Sequence, residues 1–423
     1  MKRLTVYLNG KKVGSLDQDN SGLMQFSYDQ AWLHLPNAIP LSRWLPLQPE
    51  PFRGKKARPF FAGILPEEDP RKKIAAILGI SERNDFAMLE RIGGECAGAV
   101  SLLPEGAPPP SPEDSRFCEL NDRELRDVVA ELPRRPLMAG REGVRLSLAG
   151  AQDKLPVVLH DARICLPLGD SPSSHILKPE PGRFPGLAAN EIFCMKLANA
   201  IGLKVPPVEY RLIGKTACIL IERYDRLDNT NGTITRLHQE DFCQALGFPP
   251  ELKYQAEGGP LLRDCIALLR EWSTAPVVDI RDFIDALIFN ALIGNADAHG
   301  KNFSILYRGG EHRLAPFYDL VCTLAWPELS KIPAMKIGGS RSLDTLTVGN
   351  WQNMAKETRL GWPMIRERIN GICQRILDEL GAIGMMIEKN NPAMAEQLQK
   401  IITDRSSIML KQTSLEVGSD LPK

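Results

Sequence analysis

The sequence predicts an α+β chain of two lobes, a mixed β/α lobe followed by a mainly helical one, with an extra β-rich subdomain in front. Three observations predict this. An Asn-Gly hairpin signal opens the chain, strand and helix patterns alternate through its middle, and helical periodicity dominates the last part. A proline-rich stretch, GAPPPSPEDS from Gly106 to Ser115, separates the first block from the rest, because such a segment is extended and cannot bury a core of its own. The division expected is 1–105 for the β-rich subdomain, 106–116 for a linker, 117–236 for the mixed lobe, 237–410 for the helical lobe and 411–423 for a flexible tail.

The elements follow in order. Leu4, Val6 and Leu8 alternate, Asn9-Gly10 supplies the two positive-φ residues of a type I′ turn, and a second strand runs to Leu16. PRKKIAAILG (70–79) reads as a helix with Pro70 at its start and Gly79 at its end. IGGECAGAVSLLP closes the first block as a glycine-rich strand region. In the mixed region, ELNDRELRDVVAEL is a short helix capped by Asn or Asp, KLPVVLHDARICLP is strand, turn, strand, and HILKPE is a short strand ended by prolines. LAANEIFCMKLANAIGL reads as an amphipathic helix ended by Gly202, and VEYRLIGKTACILIERYD as a hairpin turning at Gly214-Lys215. Gln239-Glu240-Asp241 is expected to begin a helix. Phe283, Leu287, Ile288, Ala291 and Leu292 then mark one helical face, FSILYR and HRLAPFYD form a strand pair around Gly309-Gly310, and further helices lie between 351 and 410.

Composition excludes more than it identifies. The 52 basic and 52 acidic side chains cancel, which argues against a chain held to DNA or membrane by bulk charge. Arg53, Lys55, Lys56 and Arg58 make the densest basic run, a solvated loop or a weak phosphate-contacting patch. Aromatic residues, at 6%, are too few for a stacking surface. The nine cysteines are odd in number, lack a CxxC pair and sit mostly in apolar stretches, so reduced buried thiols are expected, with neither disulfides nor a zinc site. No signal peptide or membrane helix is apparent, and the expectation is a soluble, cytoplasmic chain.

The chemistry concentrates in Asn295-Ala-Asp297-Ala-His299-Gly-Lys301-Asn302. Asp297 and Asn302 have the D-x-x-x-x-N spacing of a phosphotransferase catalytic loop, where the Asp takes or orients a hydroxyl proton and the Asn turns back to a metal. Two residues at one spacing carry little alone. Asp319 adds to them, since it follows the strand pair that should return the chain to Asn302, as the second metal-binding carboxylate of a kinase does. Oxygen ligands of this kind suit Mg²⁺. His299 could join Asp297 and Asp319 as a metal ligand in a phosphodiesterase, but the other histidines are scattered, and bracing of the loop by hydrogen bonding is its better reading.

Upstream, Lys178 in HILKPE is either an edge-strand lysine in water or the strand lysine that grips nucleotide phosphates. Glu191, thirteen residues on, is its candidate ion-pair partner or a helix-start residue favoured by the dipole. Ser147-Leu-Ala-Gly-Ala-Gln152 could cover phosphates through backbone N–H groups. Ile221-Glu222-Arg-Tyr224-Asp225 ends the last strand of the mixed region, as an ordinary connection between domains, as the connection of a two-lobed kinase where backbone groups meet an adenine edge, or as both. No HExxH, GxSxG, GxxxxGK[ST] or complete GxGxxG occurs. The order of the signals is stronger than any one of them: loop, Lys strand, helix with Glu, two strands, connection, helices, Asp/Asn loop, hairpin, Asp.

These residues resemble the HipA family of serine/threonine protein kinase toxins. The resemblance covers nearly the whole chain, through PLSRWLPL, ARPFFAGILPE, FAMLERIGGECAGAV, RLSLAGAQDKLPV, HILKP, NEIFCMKLA, IERYDR, the helix beginning QEDFCQALG, NADAHGKNFS and APFYDL, with SLAGAQDK and NADAHGKN the most specific. It implies a two-lobed protein-kinase-like fold and the use of ATP and Mg²⁺. It implies Asp297 as catalytic base, Asn302 and Asp319 as metal ligands, and Ser147 as an autophosphorylated residue. Leu148, Ala149, Gly150, Ala151, Gln152, Lys178, Glu222, Tyr224, His299 and Lys301 are the implied nucleotide-contacting set. It further implies a HipB-like helix-turn-helix antitoxin as partner, operator DNA contacted through that complex, and growth arrest by phosphorylation of a translation component such as an aminoacyl-tRNA synthetase. Two other readings stay open from sequence. One is a small-molecule kinase of the aminoglycoside-phosphotransferase type, which gives no reason for the N-terminal block. The other is a catalytically silent co-repressor, against which the intact Asp297, Asn302 and Asp319 argue.

Overall fold

The computed structural model describes residues 2–110, 115–229 and 233–417. Its strands are β1 Lys2–Leu8, β2 Lys11–Gln18, β3 Met24–Tyr28, β4 Phe52–Arg53, β5 Val100–Pro104, β6 Arg116–Glu119, β7 Leu155–His160, β8 Arg163–Leu168, β9 His175–Pro179, β10 Val208–Ile213, β11 Thr216–Glu222, β12 Arg226–Asp228, β13 Ile234–Arg236, β14 His238–Asp241, β15 Ser304–Arg308 and β16 Glu311–Leu314. Its α-helices are α1 Gln30–Leu33, α2 Arg58–Gly63, α3 Glu68–Leu78, α4 Asp85–Ile92, α5 Asp122–Glu131, α6 Leu187–Ala200, α7 Phe242–Leu246, α8 Leu262–Trp272, α9 Pro276–Ile293, α10 Val348–Thr358, α11 Trp362–Glu388 and α12 Pro392–Val417. Two compact units result. Met1–Pro181, Arg211–Glu251 and Ser304–His312 make the first; Gly182–Tyr210, Leu252–Phe303 and Arg313–Lys423 make the second.

The first unit holds two large sheets. β1 and β2 join through Asn9 (φ 46°) and Gly10 (φ 74°), the positive-φ pair of a type I′ turn, within the order β4-β3-β2-β1-β5. The helix expected at Pro70 begins two residues earlier, at Glu68. Proline fits there because N–H groups of a first turn have no partner inside the helix, and Gly79 in the left-handed region (φ 64°) ends it. The second sheet runs β10-β11-β9-β7-β8-β6. α5 opens with a capping box in which Asn121 and Glu124 each accept from the other's backbone N–H.

One apolar cluster carries Leu4, Phe26, Phe60 and Phe61 from the N-terminal block together with Leu155, Leu177 and Leu220 from the second sheet. Residues on both sides of the proline-rich segment therefore share a core, although Ser111–Asp114 of that segment lie outside the described residues. Gln239 and Glu240 do not start a helix. His238–Asp241 pairs with Tyr307–Ser304 as β14, and only Asp241 caps α7, in a reciprocal box with Gln244. The local signal was an N-cap, and a strand from far along the chain captured the residues before it.

That strand pairing buries Glu240, which accepts from the Arg43 N–H at 2.9 Å, from the Ser42 hydroxyl and from the Tyr307 phenol. Burial pushes its carboxyl up to about 7, against the three donors that favour the charged form. An acid with a raised folded pKa contributes most stability below its unfolded value and loses it as pH rises through the folded value. Glu240→Gln should therefore gain stability relative to the parent between about pH 5 and 8, by up to about 2 kcal/mol. Urea unfolding at the two pH values checks this; an equal difference at both contradicts it.

The second unit is helical. α6 and α9 were expected to be one-faced, but both are buried nearly all round: Phe283 to Ile293 form an unbroken buried run, as do Ala188 to Met195. Both pack against α11 and α12, which supply the cover that a surface helix lacks. α9 ends at Gly294 (φ 79°), where an added Cβ would meet the Leu324 side chain at 2.8 Å. α12 continues to Val417, so the first seven residues of the expected tail, 411–417, are helical; 418–423 lie outside the described residues. All nine cysteines are free thiols, eight of them buried. Among the described residues no helix is long and apolar enough to cross a membrane.

Candidate active site

The second unit places the Asp/Asn loop directly after the α9 cap. Asn295 accepts from the Asp297 N–H at 3.0 Å, and Asp297 O accepts from the His299 N–H at 2.8 Å. The Asn302 amide then turns back to the Asp297 carbonyl at 3.2 Å, which closes the loop on itself. The Asp297 side chain is exposed, and its carboxylate accepts from the Tyr254 phenol at 2.8 Å. His299 is buried and meets Tyr254 edge-on, ring centroids 5.3 Å apart. Lys301 is buried, and its carbonyl accepts from the Tyr318 hydroxyl at 2.6 Å. That bond ties the loop to the segment carrying Asp319.

Asn302 and Asp319 line one recess with Asn290, Asn295 and Tyr318. Asp319 has φ 57°, a left-handed conformation that Asp tolerates better than most residues but that still costs of order 1 kcal/mol. It is held by what surrounds it. Asn190 of α6 accepts from Cys322 N at 2.8 Å and donates to Cys322 O at 3.1 Å, a two-way clamp just beyond Asp319. Thr323 links Gly294 O and Ala296 N. The recess thus offers carboxylate and amide oxygens, a donor set for a hard cation. Glu191 is the fifth residue of α6, past the first turn, and 1% exposed.

The first unit carries the other sequence-predicted residues. Lys178 is not an edge-strand lysine. β9 lies between β11 and β7, and Lys178 is 6% exposed, opposite Ile219. Leu148 is buried, and Gly150 takes φ 109°, open to glycine and rarely to other residues. The loop from Ser147 to Gln152 is seated by three bonds: Ser147 N to Glu95 O at 2.8 Å, Ser147 Oγ to Ile64 O at 2.8 Å and Glu67 N to Gly150 O at 3.2 Å. Lys154 Nζ donates to Ala149 O at 2.6 Å. Ser147 is completely buried; Ala151 and Gln152 reach the surface more. Glu222 ends β11 exposed, and Tyr224 is half-buried with its hydroxyl on Gln239. In the basic run, Lys56 sits 3.3 Å over the Trp44 ring and Arg58 pairs with Asp85 and Glu251.

Several residues escaped the sequence reading. Tyr254 belongs to no motif, and Asn190 opens NEIFCMKLA without having been given a role there; only the fold brings them to Asp297 and Cys322. Behind Glu222–Asp225 lies a buried ionic network of Glu95, Asp225, Arg223, Arg226 and Arg236. The one available signal was IERYDR, in which charges follow an apolar strand too closely for all of them to face water.

Comparison with known proteins agrees with this architecture. The HipA-like C-terminal domain matches residues 146–380, more than half of the chain, and the HipA N-terminal domain matches residues 4–103. "Putative kinase Y4mE" of Sinorhizobium fredii is 49% identical over 373 residues, which cover 87% of this chain and 89% of that protein. "Serine/threonine-protein kinase toxin HipA" of Shewanella oneidensis is 28% identical over 399 residues, 91% of this chain and 90% of that one. A solved Shewanella oneidensis complex of HipA, HipB and operator DNA contains a chain of the same fold, with a TM-score of 0.87, 24% identity, and coverage of 99% of this chain and 100% of that one. The mixed and helical parts are those of an α+β, kinase-like fold, and the chain is a kinase belonging to the HipA family.

Proposed function

We propose that the chain is an ATP- and Mg²⁺-dependent serine/threonine protein kinase acting as the toxin of a toxin–antitoxin pair. The observation that carries this is the closed Asp297–Asn302 loop, with Asp319 in the same recess as Asn302. Asp297 would accept the proton of a substrate hydroxyl, oriented by the Tyr254 phenol. The Asn302 amide nitrogen is engaged with the loop, so its oxygen is the group available to a cation beside the Asp319 carboxylate. Mg²⁺ bound there would supply charge neutralisation at the phosphates. Lys178 and the backbone of Leu148 to Gln152 would contact those phosphates, with His299 and Lys301 in the same set. The backbone of Glu222 and Tyr224 would meet the adenine edge. Glu191 is the candidate partner of Lys178.

The resemblance supports Ser147 as an autophosphorylation site and a translation component, such as an aminoacyl-tRNA synthetase, as the protein substrate. The Shewanella complex supports a HipB-like helix-turn-helix antitoxin as partner, with operator DNA reached through it. Incubation of the purified chain with radiolabelled ATP and Mg²⁺ tests the core of the reading. Label should appear on serine or threonine of protein and disappear with a chelator. Label on small alcohols alone would assign a small-molecule kinase, and ATP binding without any transfer would assign a silent co-repressor.

A further inference from the structure

Glu95 stands at the end of the N-terminal subdomain and is fully buried. Its carboxylate is saturated. Oε1 accepts from Arg223 Nη1 at 3.0 Å, Arg226 Nη2 at 2.7 Å, Ser173 N at 3.0 Å and Ser173 Oγ at 2.9 Å. Oε2 accepts from Arg236 Nε at 2.9 Å and Nη2 at 2.7 Å. The residues beside it extend the contact: Cys96 O accepts from Arg223 and Arg226, Gly98 N donates to Asp225 Oδ2 at 2.7 Å, and Gly98 O accepts from Arg226 at 3.0 Å. The segment Glu95–Gly98 is therefore bolted to Arg223–Arg226. Burial alone would raise the Glu95 carboxyl, but Arg226, Arg236 and Arg223 hold it down to about 2, so it stays charged at neutral pH.

The backbone of the same residue does something else. Glu95 N donates to Arg145 O at 2.9 Å and Glu95 O accepts from Ser147 N at 2.8 Å, a parallel bridge at the root of the loop Ser147–Gln152. One residue thus fastens two segments that are separated along the chain, the loop root by its main chain and the connection Glu222–Arg226 by its side chain.

We propose that Glu95 is a positioning residue for nucleotide binding, through which the N-terminal subdomain sets the spacing between the phosphate-covering loop and the adenine-contacting connection. The inference rests on the reading of those two segments given under the proposed function. It makes the N-terminal subdomain part of the nucleotide site's framework. Anything that displaces Glu95–Gly98 would then loosen ATP.

The test compares the parent chain with Glu95→Gln, which keeps shape and loses charge, and Glu95→Asp, which keeps charge. Calorimetric ATP affinity, KM for ATP, KM for a protein acceptor and thermal unfolding are read for each. For Glu95→Gln, ATP affinity should fall at least about tenfold and KM for ATP should rise with it. KM for the acceptor should stay within twofold, and Glu95→Asp should recover part of the loss. If Glu95→Gln does not fold, Arg236→Lys, which removes the bidentate pair to Oε2 together with the bond from Nη2 to Asp170 O and leaves the Arg223 and Arg226 contacts to Oε1, should weaken ATP about threefold in a folded protein. Unchanged ATP affinity in a folded, destabilised variant overturns the proposal and leaves Glu95 a stability residue. A parent chain that binds no ATP overturns the underlying site reading as well, which separates the two failures.

Discussion

Asp297→Asn should leave the chain folded, with ATP affinity within about twofold of the parent, and cut phosphoryl transfer by about 10³-fold. The asymmetry comes from where Asp297 sits. Its side chain is exposed, and the loop around it is built from backbone groups and from Asn295 and Asn302, so the carboxylate carries little of the folding energy. An asparagine oxygen can still accept from the Tyr254 phenol, which keeps the side chain in place. What the amide cannot do is take a proton, and a positioned general base contributes roughly 10²–10⁴-fold. Nucleotide binding does not use that proton, so the loss belongs in kcat. Single-turnover transfer from radiolabelled ATP, beside a thermal unfolding curve, measures both halves. Residual transfer above a tenth of the parent's would put the base elsewhere.

The parts of this chain legible in sequence were those written over a few consecutive residues. Asn9-Gly10, Gly79 at a helix end, the Asn cap of α5 and the Asp297/Asn302 spacing each need only local geometry, and each forms in the structure. The misreadings share the opposite cause. Lys178 looked free to be an edge residue because strand order is not encoded in HILKPE; β11 arrives later in the chain to cover one side of β9. Glu240 read as helix because its partner strand begins at Ser304. Glu95 could not be paired with Arg226 and Arg236 because they lie 131 and 141 residues further along the chain. The proline-rich segment marks a change in composition, yet the apolar cluster continues across it, since prolines report on local backbone and say nothing of which surfaces meet.

Phosphorylation of Ser147 should release the loop Ser147–Gln152 and lower ATP affinity by about 10²-fold, while Ser147→Ala should bind ATP as the parent does. The seat seen here admits a hydroxyl and no more. Ser147 is completely buried, and its Oγ–H donates to the Ile64 carbonyl at 2.8 Å. A phosphate there would replace a donor with acceptor oxygens facing a carbonyl oxygen, and would bring about −1.5 to −2 charges into a fully buried site. The loop must then leave, which breaks Ser147 N to Glu95 O and Glu67 N to Gly150 O and withdraws the backbone N–H groups proposed to cover the nucleotide phosphates. Alanine removes one buried hydroxyl bond, with a cost of about 1 kcal/mol, and adds no charge. Intact-mass separation of the two forms, calorimetry with ATP and amide exchange across residues 146–152 would follow the change. A phosphorylated chain that binds ATP as tightly as the unmodified one, its loop still protected, would show that the seat can hold the phosphate and that inactivation works by another route.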